Sequence, residues 1–257
     1  MSQPSRDQFA FHDPARPEFW SERFDKGFTP WDQHGVPRVF ETFAGDVLRG
    51  DRVFGGMPVA AVQGGHAAAA VERDRHRLRT SNDPNDPSHP SSPSSPSRPD
   101  ARLPHVLIPG CGRAYEARWL VEHGFAVEAI DFSPTAVAVA REQLGASHAD
   151  IVREADFFDF TPAREIDWIY ERTFFCALPP AMRPAYADRM ADLLPRGGVL
   201  AGLFFVTHKP SGPPFGTSLD ELHRLLDPAF ECLREREVDD SMALFAGVER
   251  WLEWRRR

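Results

Sequence analysis

HVLIPGCGRAYEARWL, residues 105–120, decides how this chain folds. The apolar run His105–Pro109 reads as a short strand, and Gly110-Cys111-Gly112 turns the backbone into a segment of helical pattern. A second apolar run, AVEAID (126–131), ends on Asp131, 21 positions after Gly110. Strand, glycine turn, helix and a strand ending in an acid form the half of an α/β sheet that receives a nucleoside. The glycines admit the ligand close to the backbone, and the acid accepts hydrogen bonds from ribose hydroxyls.

The glycine register narrows the ligand. A dinucleotide fingerprint needs a third glycine, where this chain has Tyr115, and Glu116 follows where a helix start would meet a pyrophosphate. A carboxylate there repels phosphate. S-adenosylmethionine carries a sulfonium and an ammonium instead, so the pattern favours the methyl donor over a nicotinamide dinucleotide. An ordinary strand–helix turn in another α/β protein is the plain alternative.

Outward from this stretch the pattern alternates. Strands are expected at 105–109, 126–131, 151–156, 166–171 and 198–206, with β-compatible segments at 231–238 and 247–254. Helical stretches fall at 115–123, 134–144, 183–194 and 219–226. Ser133-Pro134 supplies an N-cap and a first-turn proline, and Pro195-Arg196-Gly197-Gly198 stops the helix before it. This alternation predicts a parallel sheet wrapped by helices, with the last two segments added as an antiparallel hairpin at its edge.

Upstream, PEFWSERFDKGFTPWDQHGVP (17–37) predicts a helix bearing Trp20 and Phe24 on one face, ended by Gly27 and Pro30. Phe24 and Phe28 read as packing residues. Trp31, on a turn beside Asp32 and Gln33, reads as a wall for a cation or an apolar substrate. Residues 81–99 place proline at every third position from Pro84 to Pro99, with serine between. Such a segment has nothing to bury, so 60–102 is expected to be a disordered surface insertion in a single domain. Residues 1–59 then form a lid with the first helices, and 103–257 the core.

Composition excludes several classes. The chain has 257 residues, is 42% hydrophobic and carries a net charge of −8, which gives no basic footprint for nucleic acid. Three separated cysteines and scattered histidines suggest neither disulfides nor zinc. Cys111 and Cys176 read as buried hydrophobes rather than nucleophiles. Without an apolar leader or span, the expectation is a cytoplasmic protein that avoids membranes, takes a small-molecule substrate, and has no evident need for more than a monomer. Two rival classes stay open on these residues: a nicotinamide oxidoreductase, and a donor-binding protein without turnover that acts through its proline-rich segment.

Four stretches taken together resemble the thiopurine S-methyltransferase family, nearest its plant-type thiol and methyl-halide branch. They are FWSERFDKGFTPWDQHGVP, LIPGCGRAYEARWLVEHGFAVEAIDFSPTAVAVA, EADFFDF and IDWIYERTFFCALPPAMRPAYADRMADLLPRGGVL. The resemblance implies a class I S-adenosylmethionine-dependent, Rossmann-like fold: a seven-stranded sheet with its last strand antiparallel, under an N-terminal helical lid. It implies methyl transfer to a thiol, thiopurine or halide. It implies that Trp20 and Trp31 lie over the donor, Trp31 also facing the substrate. Gly110 and Gly112 would pass beneath the methionine part, and Asp131 would take the ribose. Asp156 would hold the adenine amino group, with Phe157 covering the ring. Glu171 would end the fourth strand at the site as a further donor-binding residue, and Arg172 would meet substrate or else pair with Glu165 or Glu171. No catalytic base is assigned.

Overall fold

The computed structural model describes residues 9–54, 57–58 and 103–257. At the centre of the described chain is a seven-stranded sheet: β1 His105–Pro109, β2 Ala126–Asp131, β3 Val152–Glu154, β4 Trp168–Arg172, β5 Val199–Phe205, β6 Phe230–Glu237 and β7 Glu249–Arg256. The strand order is β3-β2-β1-β4-β5-β7-β6. The pairs β1–β2, β1–β4, β2–β3 and β4–β5 are parallel, while β7 runs antiparallel to both β5 and β6. The expected terminal hairpin is therefore present. Its second strand inserts next to β5 and leaves β6 at the edge.

Both faces of the central strands β1, β4 and β5 are covered, which is why these strands are buried along almost their whole length. Side chains alternate between two cores with the two-residue period of a strand. Val106, Ile108, Trp168 and Tyr170 join one core with Phe40, Phe43 and Trp251; Leu107, Ile169 and Leu200 join the other with Tyr186 and Trp254. The helices are α1 Pro17–Asp25, α2 Arg38–Arg49, α3 Tyr115–Glu122, α4 Pro134–Leu144, α5 Arg183–Leu193 and α6 Leu219–Leu226. The first core is built with α2, α3 and α4, the second with α5 and α6. A two-residue hairpin, Val53–Phe54 with Met57–Pro58, follows α2.

Several element bounds shift by one or two residues from expectation, and two of these shifts have a local reason. The third strand stops at Glu154, because Asp156 leaves the ladder and its Oδ1 accepts the Phe158 N–H at 2.9 Å. The fourth runs one residue further, through Arg172, which stays in register with Leu203 of β5. Helix α2 was not singled out in the sequence, yet it buries Val39, Phe40, Phe43, Ala44 and Val47 along one stripe. The proline-rich 60–102 lies outside the described residues. Among those residues no helix is long and apolar enough to cross a membrane.

Candidate active site

The chain reverses direction of winding at β1: β2 and β3 lie to one side, β4 and β5 to the other. Open α/β sheets bind ligands in the crevice that such a switch leaves beyond the strands' C-terminal ends. A cavity of about 1010 Å³ lies there, walled on one side by residues at and beyond those strand ends and on the other by the N-terminal lid.

The sheet-side wall is shaped by main chain. Gly110 follows β1 with φ +59°, and a Cβ there would lie 2.6 Å from Cδ2 of Phe174. Gly112, with φ +52°, donates its N–H to Oδ2 of Asp131 at 3.1 Å. Both conformations suit glycine and penalise other residues. Asp131 ends β2 and is 8% exposed. Its Oδ1 accepts the Ser133 N–H at 3.0 Å. Burial outweighs these hydrogen bonds and pushes its carboxyl up to about 6. Asp156, exposed, and Phe157, buried, continue this wall beyond β3.

The lid-side wall is aromatic. Helix α1 begins with a first-turn proline and carries Trp20 and Phe24 on one face. Trp31 lies edge-on to both, at 5.5 Å and 6.2 Å between ring centroids. Trp20 is steadied by a 2.8 Å hydrogen bond from Nε1 to the Pro14 carbonyl. The lid is also tied to the sheet side: the Ser21 and Ser133 hydroxyls share a hydrogen bond at 2.9 Å, and Ser133 Oγ in turn caps α4 by accepting the Ala136 N–H.

The profile of the thiopurine S-methyltransferase family matches residues 95–254. The chain belongs to that family. A probable thiol methyltransferase 2 of Arabidopsis thaliana is 33% identical over 156 residues, 58% of this chain and 69% of the plant protein. A thiocyanate methyltransferase 1 of the same plant is 30% identical over 160 residues, 60% and 70% of the two chains. In fold alone, a SAM-dependent methyltransferase from Methanosarcina mazei superposes with a TM-score of 0.52 at 15% identity, covering 60% of this chain and 92% of that one. An N-methyltransferase from Bradyrhizobium japonicum, solved with S-adenosyl-L-homocysteine, gives 0.50 at 17% identity over 61% and 79%. The protein is a SAM-dependent methyltransferase with S-adenosylmethionine as its methyl donor.

The residues of this methyltransferase suit that donor. A buried carboxylate offers more lone pairs than its backbone donors fill, and its raised pKa marks charge that two ribose hydroxyls would help to satisfy. The glycine turn leaves a cradle beside it that a Cβ at Gly110 would disturb.

Two expected site residues stand behind the wall rather than in it. Glu171 is fully engaged inside the protein: Oε1 accepts the N–H groups of Phe174 and Phe175 at 3.1 and 2.9 Å, and Oε2 accepts the Tyr186 hydroxyl at 3.0 Å. Burial pushes its carboxyl up to about 7. It shapes the turn that carries Phe174 towards Gly110. The ion pair of Arg172 with Glu165 or Glu171, one of the two sequence alternatives, is not formed: Arg172 pairs with Glu116 at 2.5 Å, and its other guanidinium nitrogen donates to the Gln33 side chain. The reason is topological. Strand β4 lies beside β1, so the first turn of α3 stands close to the end of β4, while Glu171 points to the opposite face of the sheet.

Phe24 and Phe28, read from sequence as packing residues, line the cavity as well. Phe174, the Lys209–Pro214 loop and the Leu244–Phe245 turn complete it, and sequence reasoning missed all three. Only the loop carried a signal, the glycines and prolines of THKPSGPPFG between β5 and α6. Cys111 and Cys176 are buried, and burial raises both thiols, which removes them as ready nucleophiles.

Proposed function

We propose that this methyltransferase transfers its methyl group to a small thiol, and that the two walls of the cavity divide the work. The observation that carries this reading is a shared cavity of about 1010 Å³ between the Gly110–Asp131 wall and the Trp20–Trp31 wall. It is at the upper end of the usual size for small-molecule sites, room enough for a donor and a small acceptor together. Bound S-adenosylmethionine supplies a methyl on a sulfonium, ready for in-line displacement by a soft nucleophile.

The chain's own residues have positioning to do. Gly110 and Gly112 let the backbone pass under the methionine part, and Asp131 accepts the ribose hydroxyls. Asp156 and Phe157 receive the adenine ring and its amino group. Trp20 and Trp31 close over the reacting centre, where their π faces suit a cation and exclude water. A thiol with a pKa near 8.5 already offers a few per cent thiolate at neutral pH, so alignment in a dry cavity is the main demand and no residue is assigned as base. Arg172, with its charge matched by Glu116, has no proposed contact with the acceptor. The names of the plant relatives, a thiol and a thiocyanate methyltransferase, agree with a sulfur acceptor. With a net charge of −8, a small molecule is a better fit than nucleic acid, and we place the enzyme in the cytoplasm as a monomer.

The test is turnover. Purified protein with S-adenosylmethionine is offered bisulfide, an aromatic thiol, a thiopurine, thiocyanate and iodide, with S-adenosylhomocysteine and the methylated product both measured. Equimolar formation of the two with a thiol supports the proposal. Donor binding without product from any of the five favours a binding protein, and product from iodide alone moves the acceptor to halide.

A further inference from the structure

Tyr115 is the residue that takes the glycine turn away from a dinucleotide fingerprint, and it and Arg113 both reach across to the lid. The Asp32 carboxylate, its side chain only 4% exposed, forms an ion pair through Oδ2 with Arg113 Nε at 2.6 Å. The Tyr115 hydroxyl faces the same carboxylate, whose charge helps burial to raise the phenol's pKa. Its Oδ1 accepts the His34 N–H at 2.7 Å, which holds His34 at φ +57°, a left-handed backbone that a residue with a Cβ rarely adopts. The next lid residue repeats the arrangement. Gln33 accepts from Arg172, itself paired with Glu116, and donates to the Asp240 carbonyl at 3.3 Å.

Trp31 immediately precedes these two anchored residues, on a turn closed by the Asp32 N–H to the Thr29 carbonyl at 2.9 Å. It has little freedom while they hold. The charge contact is nearly sealed from water on the Asp32 side, so it is worth more than a surface pair, and an unpaired carboxylate there would be costly. The floor of the cavity and its aromatic wall are thus joined by one carboxylate.

We infer that Asp32 is a positioning residue for methyl transfer, tying the loop that carries Trp31 to the glycine turn so that donor and acceptor walls keep a fixed spacing. This rests on the reading of the cavity given above. It assigns Asp32 no contact with either reactant; its effect passes through Trp31.

A double-mutant cycle between Asp32→Asn and Trp31→Ala tests it. Asparagine keeps an acceptor oxygen for the His34 N–H while removing the charge facing Arg113. Asp32→Asn should lower kcat/KM for a methylated thiol by about tenfold or more, as a small misplacement of a reacting wall does. Affinity for S-adenosylhomocysteine should stay within about threefold, because the donor's floor is main chain and Asp131. In the Trp31→Ala background the same substitution should cost nothing further. Additive losses in the cycle, or full activity in Asp32→Asn, overturn the inference. If Asp32→Asn is not recovered folded, Arg113→Gln replaces it in the cycle with the same two outcomes. If the wild type methylates none of the thiols, the functional reading fails separately, and amide hydrogen exchange decides the positioning claim. Asp32→Asn should then speed exchange across residues 29–35 and leave 105–112 unchanged, and equal exchange across 29–35 overturns it.

Discussion

The two walls of the cavity are built from different kinds of constraint. The sheet-side wall is made of backbone: Gly110 and Gly112 in left-handed conformations, and Asp131 fixed by N–H groups of its own and the neighbouring turn. The lid-side wall is made of side chains: Trp20, Phe24 and Trp31 held edge-to-face and steadied by polar anchors at Pro14 and Asp32. Backbone walls fail abruptly when a side chain is added, whereas side-chain walls lose function in proportion to what is removed.

The sharpest way to break that contrast is Gly110→Ala. The new Cβ would meet Phe174 at 2.6 Å in a backbone conformation that already disfavours it. Displacing Phe174 and the turn together should cut kcat/KM by about hundredfold or more, with a lower Tm. Gly112→Ala makes the companion measurement. Its Cβ would meet Phe24 at an ordinary 3.7 Å, so only the conformational strain of about 1–2 kcal/mol should appear.

Asp131 gives a pH signature that the lid lacks. Burial raises its carboxyl to about 6 in the free protein, and on the proposed reading ribose hydroxyls would stabilise the ionised form. Binding therefore lowers that pKa, and donor affinity should fall as pH drops through 6, by up to about tenfold per unit. Asp131→Asn should flatten that dependence, which titration of S-adenosylhomocysteine between pH 5 and 8 would reveal.

Glu171 sharpens the contrast from outside the cavity. Its folded pKa of about 7 lies above the unfolded carboxyl value of 4.5, so the native state holds the extra proton in that window. Stability from this group is greatest below 4.5 and declines as pH rises to about 7. Glu171→Gln should remove that decline in thermal melts while keeping acceptor oxygen for Phe174 and Phe175. The smallest effect belongs to the lid. Trp20→Phe loses one hydrogen bond to Pro14 and should cost about 1 kcal/mol or less in donor affinity.

Much of the sheet-side wall was legible in the sequence because its signals are local. A strand, two glycines and an acid at a fixed distance give the turn, the cradle and Asp131 without knowledge of any neighbour. The start of helix α4 at Pro134 was legible for the same reason, from Ser133 and Pro134 alone. Arg172 was not legible, because its partner Glu116 comes from a helix brought alongside only by the β1–β4 pairing. Phe174 faces Gly110 only because Glu171 folds the following turn back, a contact between side chain and backbone that leaves no pattern in the residues. The lid gave a mixed result. Trp20, Phe24 and Trp31 signalled an aromatic cluster by spacing, but the link from Asp32 to Arg113 and Tyr115 depends on the lid's placement over the sheet.

Titration calorimetry of S-adenosylhomocysteine into wild-type protein and Asp131→Ala tests the central claim most directly, that the sheet-side wall holds the donor. The wild type should bind one equivalent, and the variant should lose about 1–3 kcal/mol of affinity, the cost of leaving ribose hydroxyls without their acceptor. Equal affinity in a variant that folds normally would contradict the claim and take Asp131 out of the donor site.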